Sequence, residues 1–124
     1  MEQNQTICID VETTTHNKGH PFDPRNKLVS YASDPGGFKY FTDPDFVERA
    51  NETLASSSLL IGFNFKFDLH WLGTLGAVVP DTCAIWDCQL AEFIFGAQKD
   101  VLISLNECLE RYGLPTKKDE VKAM

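Results

Sequence analysis

Asp10 and Glu12 stand two residues apart in the segment TICIDVET. On an extended strand that spacing sends both carboxylates out of one face, while Ile7, Ile9 and Val11 point to the other. Two like charges so close raise each other's pKa and are costly beside a core unless something positive lies between them; a divalent cation is the simplest such partner. A third carboxylate follows in Asn64-Phe65-Lys66-Phe67-Asp68, within the first turn of a helix that leaves an apolar strand. The helix dipole favours an anion there, and in α/β sheets ligands gather at that edge. Taken singly, a D-x-E is what many strand ends carry into water, and a first-turn Asp is a common helix stabiliser. The chemistry rests on the combination.

The elements that must hold these residues are legible in outline. Thr6 to Val11 is short, apolar and β-branched and predicts a strand, followed by a long loop from Thr13 to Asn26. Lys27 to Ser33 and Phe38 to Phe41 predict two strands paired as a hairpin across the turn Asp34 to Gly37. Asp43 as cap with Pro44 after it opens a helix with Phe46, Val47, Ala50 and Leu54 on one face. Ser58 to Phe63 predicts a strand buried on both faces, as in parallel pairings.

Asn64 then caps a helix through Phe65, Leu69 and Leu72, ending near Gly73 to Gly76. Cys83 to Trp86 predicts a short strand, with Asp87 capping a helix to Gly96. Ser104 and Glu107 form a capping box for a last helix ending at Gly113 and Pro115, and Lys117 to Met124 predicts the first turns of another. This order implies an α/β fold with a mixed sheet covered by helices.

At 124 residues with 43% hydrophobic content, the chain is expected to form one domain over residues 1–124. No apolar run approaches the roughly 20 residues of a membrane helix, and Met1 to Thr6 lacks a signal-peptide pattern, so a cytoplasmic protein without a membrane partner is expected. Cys8, Cys83, Cys88 and Cys108 show neither zinc-site nor disulfide spacing and predict buried free thiols. A net charge of −7 argues against holding nucleic acid by broad phosphate neutralisation. A carboxylate cluster that binds divalent metals escapes the objection, because the metals carry the positive charge.

These residues together carry a resemblance. I-C-I-Asp10-V-Glu12-T-T resembles the first exonuclease motif of the family-A DNA polymerases, and I-G-F-Asn64-F-K-Phe67-Asp68 resembles the second. The segments around Asp87 and around L-N-E-C-L-E-R-Y-G-L are similar to those that follow in the family, phage type, so the likeness covers nearly the whole chain. It implies the ribonuclease-H-like exonuclease fold, a five-stranded mixed sheet flanked by helices. It also implies a 3′-to-5′ proofreading exonuclease in a bacterial or phage-infected cell that hydrolyses the 3′-terminal phosphodiester of single-stranded DNA with two Mg²⁺ or Mn²⁺ ions. By matching position, Asp10 would bridge both metals, Glu12 bind one and Asp68 hold the other through water. Asn64, Thr13 and Phe67 would meet the substrate. Phe65 and Phe67 are both candidates for stacking on bases, with one of the two expected in the core. His16 and His20 are expected in the loop near the site, and His70 on the solvent side of its helix.

The family's third motif, a tyrosine followed four residues later by aspartate, is not found. Tyr112 is followed at that distance by Thr116, Tyr40 by Pro44 and Tyr31 by Pro35, and Asp119 is the only late aspartate. The resemblance therefore implies a C-terminally incomplete site, expected to bind metal weakly and to degrade DNA slowly or not at all unless a polymerase domain or a separate chain completes it. Two other readings stay open: a ribonuclease D-like RNA exonuclease, and a non-catalytic domain serving as a structural or interaction module.

Overall fold

The computed structural model describes residues 5–96 and 102–117. The helix expected beyond Lys117, and Asp119 with it, lie outside them. Five strands, β1 (Gln5–Thr13), β2 (Leu28–Asp34), β3 (Gly37–Tyr40), β4 (Ser57–Gly62) and β5 (Ala84–Asp87), make one sheet in the order β3-β2-β1-β4-β5. β1 pairs antiparallel with β2 and β2 with β3, whereas β1–β4 and β4–β5 are parallel. The sheet is mixed, with β1 at its centre. Four helices flank it: α1 (Phe46–Ala55), α2 (Phe65–Thr74), α3 (Cys88–Phe95) and α4 (Leu105–Arg111). Among the described residues no helix is long and apolar enough to cross a membrane.

Alternation along β1 divides the molecule. Ile7, Ile9 and Val11 enter the core, where they meet Leu60 of β4, Phe46, Ala50 and Leu54 of α1, and Phe65, Trp71 and Leu72 of α2. Cys8, Asp10 and Glu12 take the opposite face. That face is only partly covered. Leu59 and Ile61 of β4 are half-buried although β4 is flanked by parallel neighbours, α3 has no fully buried residue, and Cys8 is exposed. The expectation of a strand buried on both faces is corrected here, as is that of four buried thiols. Of the cysteines only Cys108 is buried.

Smaller corrections have local causes. Asp43 accepts from the backbone of Tyr40 at 2.9 Å and closes the turn, so the helix begins two residues later with Asp45 at its cap. From that start the inward positions are Phe46, Ala50 and Leu54, which leaves Val47 exposed. The expected long loop is built rather than open. Strand β1 runs on to Thr13, a 3-10 turn forms at His16–Gly19, and the Asn26 amide donates to the carbonyls of His16 and His20. The Trp71 indole of α2 donates to the Gly19 carbonyl at 3.0 Å and ties that loop to the core.

Candidate metal centre

Asp10 and Glu12 leave β1 on one face, as their spacing requires, and both line an open cavity of about 330 Å³. Their carboxylates grip the same cation, since the Lys117 ammonium pairs with Asp10 Oδ2 and with Glu12 Oε1. Those two contacts hold the Lys117 ammonium charged and raise its pKa, against the opposing effect of burial. Sequence reasoning missed Lys117. Its only signal was a cation near the end of a chain rich in acid, with nothing to say where it would fold.

Asp68 reaches the same cavity from the first turn of α2, and it is buried to 3% exposure. The backbone N–H of Val11, between Asp10 and Glu12 in sequence, donates to its Oδ2 at 3.3 Å. Burial first, then the neighbouring charge of Asp10, pushes the Asp68 carboxyl up to about 8. Near neutral pH it is therefore largely protonated, which lets it share a hydrogen bond with Asp10. Asp10 thus lies between buried Asp68 and Glu12, with one lysine bracing Asp10 and Glu12.

The turn that aims Asp68 is held from β5. Asn64 takes a left-handed conformation, φ 53° and ψ 52°, and its side chain makes no capping bond, contrary to expectation. Asp87 replaces it: the backbone N–H groups of Asn64 and Phe65 donate to its two oxygens at 3.0 and 2.9 Å. The same carboxylate caps its own helix α3 by accepting from Gln89 N at 2.9 Å, as the sequence predicted. Parallel pairing sets Asp87 opposite Gly62, so one residue serves two helix starts. Gly62 is itself required, because a Cβ there would lie 2.3 Å from the Phe65 ring.

Of the two aromatics, Phe65 is core, and Phe67 is half-buried on the cavity wall, packed over Gly19. Asn64 is exposed and lines the cavity. Thr13 is brought close along β1 but is buried, its hydroxyl donating to the Thr14 carbonyl at 2.8 Å, and it is not part of the lining. His70 is exposed on α2, and His16 and His20 lie in the neighbouring loop. The opposite wall is Ser104, Leu105 and Asn106 at the start of α4. Ser104 accepts from Glu107 N at 3.2 Å in the expected cap.

No protein-family model and no curated protein matches this chain. The site is therefore read from its own chemistry. Among the described residues no three acidic, histidine or cysteine side chains stand close enough in this arrangement to hold one ion. The donor set nevertheless suits a hard divalent cation, being three carboxylates around one cavity. The charge balance suits it too: one ammonium faces two carboxylates, which leaves a net negative charge at the cavity. Asp10, Glu12 and Asp68 are the residues that would hold such an ion.

Proposed function

We propose that this chain is a metal-dependent 3′-to-5′ exonuclease domain of the ribonuclease-H-like kind, acting on the 3′ end of single-stranded DNA. One observation carries the reading: Asp10 and Glu12 from β1 and Asp68 from α2 meet at one cavity, on the strand-to-helix edge of a mixed five-stranded sheet. The order of elements agrees with that family of folds. When bound, Mg²⁺ or Mn²⁺ supplies charge stabilisation at a phosphodiester and activation of water.

The chain's own residues divide the remaining work. Asp10 and Glu12 present their carboxylates on the open side of the sheet, and Asp68 backs them from the core. Asn64 offers an amide at the rim and Phe67 an aromatic face, suited to a terminal nucleotide without sequence preference. Asp87 keeps the Asn64–Asp68 turn in place through its two backbone contacts. A second reading, a non-catalytic module, is favoured by one feature, the lysine already neutralising Asp10 and Glu12.

The test is digestion of a 5′-labelled single strand of DNA, and of RNA of the same sequence, in Mn²⁺. The expected result is slow stepwise shortening from the 3′ end, faster on DNA, and reduced at least about tenfold in Glu12→Gln. Equal rates in wild type and variant contradict the enzyme reading, and faster loss of RNA moves the substrate to RNA.

A further inference from the structure

Lys117 is held at the carboxylates by a built contact. Its backbone N–H donates to Asn106 Oδ1 at 2.8 Å, and its carbonyl accepts from Asn106 Nδ2 at 3.4 Å. This reciprocal pair fixes the Lys117 backbone against α4, whose first turn is closed by the Ser104 and Glu107 cap. From that anchor the four-carbon stem carries the ammonium to Asp10 and Glu12 together. The Lys117 side chain is partly accessible, 39% exposed.

From this geometry we infer that Lys117 is a tethered cation standing where a divalent ion would sit between Asp10 and Glu12, so that metal binds by displacing it. The inference rests on the metal reading proposed above. An ammonium is a compact point charge on a flexible stem, and a half-exposed ion pair is weak enough to exchange with solvent. A divalent ion and the ammonium cannot share the same two carboxylates, because like charges in contact repel strongly where the surroundings are partly dry. Asn106 keeps the backbone in place while the side chain swings out, so the ammonium remains near the cavity after it leaves. Metal affinity is then set by a contest within the chain, in which Lys117 is the competitor and Asn106 the residue that positions it.

The test is a calorimetric Mn²⁺ titration of the full chain as wild type, Lys117→Met, Lys117→Arg and Asn106→Ala, each with and without Asp10→Asn. Methionine keeps the apolar stem and removes the charge, and arginine keeps the charge should the methionine variant fail to fold. The expected result is binding about five- to tenfold tighter in Lys117→Met, modestly tighter in Asn106→Ala, and unchanged or weaker in Lys117→Arg, with all binding lost on Asp10→Asn. Asp10-dependent binding that is equal or weaker in Lys117→Met, or tighter in Lys117→Arg, overturns the inference and leaves the metal site standing. Heats unaffected by Asp10→Asn in every background remove the metal site, and the inference with it.

Discussion

Lys117 and Asp10, 107 positions apart in the chain, form one ion pair at the mouth of a cavity whose floor is the buried carboxyl of Asp68. Asp10 is thus the middle member of the site, with a cation on its solvent side and a protonated acid on its core side. Neutralisation by Lys117 and protonation of Asp68 both lessen the repulsion that Asp10 meets from its acidic neighbours. Each can be perturbed separately.

Asp68 makes the metal-free protein less stable as pH rises. Its folded pKa, about 8, lies above the ordinary value of 3.8, so between those limits the native state binds more protons than the unfolded chain. Stability from this group is full below about pH 4 and is lost progressively toward about pH 8. Asp68→Asn, which keeps the shape and cannot ionise, should melt near wild type at the acid end and above it at the alkaline end. Thermal melts in chelator across that interval check the crossover; parallel curves contradict it.

Asp87 supports two helices with one carboxylate, and its loss should exceed that of an ordinary cap. Asp87→Ala is expected to cost about 2 to 3 kcal/mol in urea unfolding, since three backbone N–H groups lose their acceptor. Asp87→Asn keeps one acceptor oxygen and should cost about half as much. A loss within about 0.5 kcal/mol for the alanine variant, the ordinary range of surface substitutions, would mean that water satisfies these groups as well as Asp87 does.

Much of the site was legible before folding because it depends on local rules. The parity of β1 follows from Ile7, Ile9 and Val11, and the position of Asp68 follows from a helix that starts where an apolar strand ends. What was not legible depends on partners distant in sequence. Asp87 reaches α2 only because β4 and β5 pair in parallel with Gly62 opposite it, and no periodicity encodes that register. Asn64 looks like a cap by residue type, yet its backbone is left-handed and its side chain makes no capping bond, which leaves capping to Asp87. Lys117 required the Asn106 anchor and the packing of α4, neither of which has a pattern in sequence. The apolar run of β4 predicted covering on both faces, but the coverage depends on what packs there, and α3 does not bury it.

Gly62 and Gly73 offer a paired check on the α2 start. An added Cβ at Gly62 meets the Phe65 ring at 2.3 Å, whereas at Gly73, inside α2, nothing lies within 4 Å. Gly62→Ala should destabilise by about 1 to 3 kcal/mol through forced repacking. Gly73→Ala should be neutral or stabilising by up to about 1 kcal/mol, because alanine favours the helix and restricts the unfolded chain. Chemical unfolding of the two variants side by side decides this, and equal losses would mean that Phe65 moves aside freely.

The central claim is that Asp10, Glu12 and Asp68 form a divalent-cation site, and calorimetric titration of Mn²⁺ into wild type and Asp10→Ala tests it most directly. Weak, saturable binding in wild type that disappears in the variant is the predicted result; equal heats in the two proteins would contradict it.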